Sequence, residues 1–151
     1  MMFHVSLALI TGLVIHRNPK PESLVKPLPL DPRMTRLAAF FERYQCPQPY
    51  FIHNYLLAAD SYAIDYRLLP AISVRESTCG RHHRLNNRWG WDVPRTGFES
   101  VPDGIDYIAA KLAAGRPYKG KTLKHKLRAY NPYPQYATQI VRLMREIEDL
   151  P

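Results

Sequence analysis

Apolar residues recur at helical spacing through most of the chain. Met34, Leu37, Ala38 and Phe41 stand three and four apart, as do Ile52, Leu56, Ala59 and Ala63, so each set forms the inward face of a helix. A third helix is expected over Leu68–Cys79, a fourth over Pro102–Ala114 and a last over Tyr133–Ile147, where Ile140, Leu143, Met144 and Ile147 share one side. Asp65 is placed to cap the third helix. Pro70 lies early in that helix, where a missing N–H is tolerated only within the first turn, so a late start or a kink is expected. Period-two alternation is confined to Arg88–Val93, which predicts at most a short β-ribbon. The fold class is therefore mainly α.

Between the third and fourth helices, Arg81 to Val101 is rich in Gly, Asn, Pro and Trp. It is longer than most connections in compact domains, and loops of that length usually carry function. At the other end, Phe3 to Ile15 is apolar apart from His4, Ser6 and Thr11, yet shorter than the ~20 residues a membrane-spanning helix needs. It has the look of a signal-peptide core, although no Lys or Arg precedes it and no small-residue cleavage pattern follows at His16, Arg17, Asn18 and Pro19. Pro19, Pro21, Pro27, Pro29 and Pro32 then stand among polar neighbours, a composition that forms an extended linker. The expected organisation is an apolar leader or membrane anchor over 1–16, a Pro-rich linker over 17–32 and one folded domain over 33–151.

Composition narrows the function. With 46% hydrophobic and 23% charged residues in 151, a single domain buries enough surface to need neither metal nor disulfide for its core. A net charge of +8 attracts polyanions: nucleic acid, anionic lipid or acidic wall polymers. Arg81, Arg84, Arg88, Arg116, Lys119, Lys121, Lys124 and Lys126 are interrupted by turns and apolar residues, which describes a solvated basic face. They form no continuous helical stripe, and no helix-turn-helix or RNA-binding signature is present, so nucleic acid is not an expected partner. Cys46 and Cys79 are too few for a zinc cluster; one disulfide, implying an oxidising compartment, and two buried thiols fit the count equally. His82 and His83 are adjacent, so on a helix they point about 100° apart and cannot face one metal. No metal or cofactor is expected.

The chemistry centres on Glu76. At about 100° per residue it falls within about 20° of Leu69 and about 40° of Ile72, on the face the third helix buries. A carboxyl held away from water resists ionisation and keeps a proton to deliver, as a general acid must. The competing reading is a Glu paired with Arg75 or Arg81 at a helix end. Just beyond lie Asn86, Asn87, Trp89, Gly90 and Trp91, where indoles can cover the apolar faces of sugars and amides can bond hydroxyl and acetamido groups. Completion of the core is an equal alternative for one of the two indoles. Tyr130, Asn131 and Tyr133 form a second polar-aromatic cluster, for which a turn before Pro132 is an equal alternative.

At these residues the chain resembles the lysozyme-like superfamily, in its lytic transglycosylase and endo-β-N-acetylglucosaminidase branch, which acts on peptidoglycan. The resemblance runs from about Ala58 to Ile147. It is carried by Ala58, Ala59, Asp60 and Asp65, by Leu68, Leu69, Pro70, Ala71 and Ile72 followed by Glu76 and Ser77, by Asn87, Trp89, Gly90 and Trp91, and by Tyr130 and Asn131. The Gly-Leu-Met-Gln loop common in lytic transglycosylases is absent, replaced by Trp89, Gly90 and Trp91.

The resemblance implies a lysozyme-like helical domain with a long cleft-lining loop. Glu76 would be the catalytic acid, with Tyr130 beside it, and Ser77, Asn87, Trp89, Gly90, Trp91 and Asn131 would contact substrate or support the acid. The partner implied is the glycan strand of peptidoglycan, cleaved by a monomeric, exported enzyme of the periplasm or cell envelope. Asp92, Glu99 and Asp103 are the candidates for a second carboxylate that activates water; otherwise the sugar's own 6-hydroxyl captures the oxocarbenium-like centre and gives a 1,6-anhydro product. A basic, non-catalytic module for wall polymers or nucleic acid is the rival reading. The resemblance also places Cys79 at the end of the catalytic helix and Cys46 in the turn after the first, so a disulfide there would close a loop of about 33 residues.

Overall fold

The computed structural model describes residues 30–93 and 95–151. The leader expected over 1–16 and most of the linker expected over 17–32 lie outside them. The described residues form six helices: α1 (Pro32–Arg43), α2 (Ile52–Tyr62), α3 (Leu68–Ser77), α4 (Val101–Ala114), α5 (Leu123–Tyr130) and α6 (Tyr136–Glu148). The fold is mainly α. None of these helices is long and apolar enough to cross a membrane.

Local chemistry sets the boundaries. Asp31 caps α1 by accepting from the Arg33 N–H at 2.9 Å, and Pro32 occupies the first turn where no donor is needed, so the helix begins just ahead of Arg33. Ser100 caps α4 in the same way, again with a Pro in the first turn. Pro70 is the third residue of α3, still inside the first turn, and the helix tolerates it there. Asp65 stands three residues before α3: it accepts from the Arg67 N–H at 3.0 Å and from the Arg67 guanidinium, so its side chain fixes the entry to the helix instead of capping it. Thr78 and Cys79 adopt left-handed conformations at φ 51° and 55°, which stop α3 at Ser77, short of the expected Cys79.

Two elements differ from expectation. The β-ribbon over Arg88–Val93 is not formed, and no strand occurs among the described residues. Positive φ at Gly90 (62°) and Asp92 (46°) bends the segment into successive turns that a ladder cannot follow. In addition, α5 interrupts the basic region as a two-turn helix in which Leu127 is the one buried side chain.

Helix α3 is the central strut. Leu68, Leu69, Pro70, Ala71, Ile72, Ser73, Val74 and Ser77 are all buried, so it is enclosed on almost every side. It packs on α6, while α2 packs on α4, α1 spans α2 and α6, and α5 lies against α6. Cys46 and Cys79 are bonded, with Cα atoms 5.4 Å apart across a separation of 33 residues. The bond ties the turn after α1 to the end of the strut.

Candidate active site

Glu76 occupies the last turn of α3, where the enclosed helix first reaches the surface. Its neighbours on that face, Leu69 and Ile72, are 3% and 0% exposed, whereas Glu76 is half-buried. The carboxyl is therefore at the lip of the core and accessible, not sealed within it. The ion pairs that would have explained it structurally are not formed: Arg75 donates to Gln139 at 2.7 Å and Arg81 to the Gln45 carbonyl. Among the described residues Glu76 has no salt-bridge partner.

Tyrosines flank it. The Tyr130 hydroxyl donates to the Trp89 carbonyl at 2.5 Å, and its ring stacks on Tyr136 with centroids 6.0 Å apart and planes 7° from parallel. Burial above all, then the nearby charge of Glu76 and the Tyr118 phenol, keep Tyr130 un-ionised far above the usual tyrosine range. Tyr136 is held un-ionised in the same direction, first by burial and then by Tyr130 and Glu76. Its buried hydroxyl is turned toward the Glu76 carboxylate, whose charge and accepting oxygen both hold the phenol proton in place, at a separation beyond a formed hydrogen bond.

The loop from Thr78 to Ser100 is fastened against this helix end by side chains that close it on itself. The Ser77 hydroxyl donates to the Arg88 carbonyl at 2.6 Å and accepts from the Gly80 N–H at 2.8 Å. Asn87 uses its whole amide: it donates to the carbonyls of Trp91 (2.7 Å) and Thr96 (3.0 Å) and accepts from the Trp91 N–H (3.0 Å). Asn86 similarly reaches the carbonyls of Phe98 and Glu99. Trp89 is 0% exposed and donates to the Leu69 carbonyl at 3.1 Å, so it is the indole that completes the core. The result is an exposed Gly90 held directly over the carboxylate: a Cβ there would lie 3.1 Å from Glu76 Oε2.

Two adjoining concavities meet at Gly90 and Thr96, which line both. One, of about 570 Å³, contains Glu76 together with His82, His83, Arg84 and Leu85. The other, of about 400 Å³, is walled by Trp91, Tyr107, Tyr118 and Tyr130, with Lys111 and Arg116 at its edge. Trp91 is the hub of the aromatic wall, with ring centroids 6.3 Å from Tyr107, 5.8 Å from Tyr118 and 5.6 Å from Tyr130.

Of the residues singled out from sequence, Glu76, Gly90, Trp91 and Tyr130 come together with side chain or backbone open to these hollows. Ser77 and Asn87 line the hollow that contains Glu76 but are each only 4% exposed, Trp89 beside them is 0% exposed, and all three hold the loop with their own hydrogen bonds. Asn131 ends α5, and its side chain accepts from the Tyr133 N–H at 3.0 Å, the turn before the last helix. Among the second carboxylates, Asp92 is paired with Arg95, Asp103 accepts from the Ser100 hydroxyl at the α4 cap, and Glu99 is exposed; none lines the hollow that contains Glu76.

Sequence reasoning missed Tyr107, Lys111, Arg116, Tyr118 and Tyr136 as site residues, and it weighed His82 and His83 only as metal ligands. Tyr136 was within reach, because it stands four, seven and eleven residues before Ile140, Leu143 and Ile147 and continues their stripe. The others converge from a helix face and a turn, and no local pattern marks them. No family model matches the chain, and no curated protein matches it either.

Proposed function

We propose that this protein is a lysozyme-like glycosidase that cleaves the glycan strands of peptidoglycan, with Glu76 as proton donor. The observation that carries the reading is a carboxylate without an ion-pair partner among the described residues, on the one exposed turn of an otherwise enclosed helix, where two hollows meet. Structural carboxylates in this molecule look different: Asp31, Asp60 and Asp65 are each gripped by an arginine.

In the proposed reaction a strand lies across Gly90, one sugar against the aromatic wall and the next beside Glu76. The absence of a side chain at Gly90 lets the saccharide approach the carboxyl. Glu76 protonates the bridging oxygen, the bond to the anomeric carbon breaks, and positive charge develops on the ring. Tyr130 and Tyr136, un-ionised, place no second negative charge beside the acid. Glu99 and Asp103 line neither hollow, and Asp92, which lines the aromatic one, is paired with Arg95, so capture by the sugar's own 6-hydroxyl, with its proton passing to the Glu76 carboxylate, is favoured over water activated by a second carboxylate. The Cys46–Cys79 bond supports export to an oxidising compartment.

The test is clearance of purified cell wall by the wild type and by Glu76→Gln, with mass analysis of the products. Loss of clearance in the variant supports the mechanism, and anhydro ends one water lighter than the hydrolysed product support the 6-hydroxyl route. Equal clearance removes Glu76 from the chemistry. Binding without clearance by either protein favours the non-catalytic wall-binding module.

A further inference from the structure

We propose that the groove between α5 and α6 docks this protein on an anionic phospholipid bilayer, with Lys124, Arg142 and Arg145 meeting the headgroups around an apolar floor of Ala137 and Val141. The inference does not depend on the glycosidase reading, because none of the groove's residues lines either hollow of the candidate active site.

Three observations carry it. First, α6 has two distinct faces. Its inward stripe is Tyr136, Ile140, Leu143, Met144 and Ile147; the adjoining stripe of Ala137, Thr138, Val141, Arg142 and Arg145 lines a groove of about 480 Å³ together with Lys124 of α5. Ala137 and Val141 are half-buried and pack against the core, whereas Thr138 and the three cations are exposed. A face that only keeps a helix in water needs no apolar floor between its charges.

Second, the charge of this face is uncompensated. From Tyr107 to Arg145 the sequence contains no Asp or Glu, although Lys and Arg recur throughout. Lys124 and Arg145 have no ion-pair partner among the described residues. The contact of Arg142 with Glu146 is long, at 3.6 Å, and Glu146 already accepts from the Tyr44 hydroxyl at 2.6 Å. Elsewhere the cations are matched: Arg33 holds Asp31 and Asp60, and Arg67 holds Asp65 and Glu148.

Third, the lining selects among polyanions. No aromatic ring lines the groove among the described residues, so the bases of a nucleic acid find no stacking platform, and its phosphates gain nothing from the apolar floor. A bilayer uses both parts. Its phosphates meet the ammonium and guanidinium heads, while the aliphatic stems of those side chains and the floor lie against the acyl boundary. Because α5 carries Tyr130 and α6 carries Tyr136, docking there also sets how the candidate cleft sits relative to the lipid.

The experiment measures partitioning of the full chain onto vesicles of phosphatidylcholine alone and of equal parts phosphatidylglycerol and phosphatidylcholine. The apolar stretch from Phe3 to Ile15 carries no Asp, Glu, Lys or Arg, so the ratio between the two vesicles, not the affinity for either, is the readout. An anionic preference of about a hundredfold or more is expected, the effect of three basic residues at such a surface. Lys124→Gln, Arg142→Gln and Arg145→Gln combined should lower it by at least about tenfold. Arg43→Gln, Arg84→Gln and Arg95→Gln combined remove the same charge elsewhere and should lower it by less than about threefold, since distant charges are screened. A tryptophan placed on the exposed groove wall by Thr138→Trp should be quenched by brominated acyl chains more strongly than Trp89 and Trp91 of the wild type, a contact that attraction at a distance does not produce. No anionic preference, equal losses in the two triple variants, or an unquenched Thr138→Trp would overturn the proposal. Tighter binding of duplex DNA than of the anionic vesicles at equal accessible phosphate, lost in the groove variant, would also overturn it and assign the groove to nucleic acid.

Discussion

The backbone of Gly90 and the carboxylate of Glu76 are packed so closely that a single added methyl would touch: the Cβ position lies 3.1 Å from Oε2, and Gly90 has φ +62°. Loop and acid are thus one unit, although they come from different elements. Gly90→Ala should cost about 1–2 kcal/mol for the left-handed conformation alone. It should also push the carboxylate from its place and lower wall clearance by up to about a hundredfold, the scale of a misplaced catalytic group. Paired thermal melts and clearance rates check this. A variant that loses stability but keeps its activity would show that the contact is structural only.

The same helix end is anchored from the other side by Cys79. Replacing both cysteines with Ser should destabilise the domain by about 3–4 kcal/mol on the chain-entropy account of a loop this long. Cys46 and Cys79 are the two cysteines of the chain, so oxidised protein should show no reactive thiol when denatured without reductant. Denaturant unfolding with and without reductant measures the difference. Two titratable thiols would contradict the bond.

The helices that were legible in the sequence are those with long apolar stripes. The inward residues expected on the last helix, Ile140, Leu143, Met144 and Ile147, are all buried, and Glu76 emerges from the stripe of Leu69 and Ile72 as its spacing requires. Helix α5 escaped because one buried residue in two turns leaves no periodicity to read, and its lysines and arginines resemble a solvated loop. The hydrogen bonds that Ser77, Asn87 and Trp89 make were not legible for another reason. Residue type shows what a side chain can bond, whereas their partners are backbone carbonyls 4 to 20 residues away, fixed by the fold. The aromatic wall likewise assembles from α4, a turn and α5, so no window of sequence contains it.

Acid sensitivity should concentrate at the entry to α3. Burial works against the charge of half-buried Asp65, but the hydrogen bonds from the Arg67 side chain and N–H outweigh it and hold the carboxyl below its usual range. A group with a depressed folded pKa contributes stability at pH values above its unfolded pKa, near 3.9, and that contribution is lost as pH falls through the folded value. Asp65→Asn should therefore be less stable than wild type at neutral pH, with the gap narrowing as pH drops below about 4. Melting temperatures taken across that range check the sign. A constant gap would show that the loss comes from packing and not from the ionised form.

The two tryptophans divide core from cleft, and they are the only two in the chain. Trp89, 0% exposed, donates its indole N–H to the Leu69 carbonyl, and Phe at this position removes that buried hydrogen bond and leaves a gap beside it. Trp89→Phe should lose about 1–3 kcal/mol of stability. Trp91 is half-buried and lines the aromatic hollow among three tyrosines. Trp91→Phe should melt close to the wild-type temperature yet bind saccharide more weakly, because a smaller ring offers a smaller stacking face. Intrinsic fluorescence separates the two directly. A sugar that occupies the cleft should perturb emission in the wild type and in Trp89→Phe, where Trp91 remains, and leave emission unchanged in Trp91→Phe. A response that persists without Trp91 would place the saccharide away from this wall, and the orientation proposed for the strand would have to be abandoned with it.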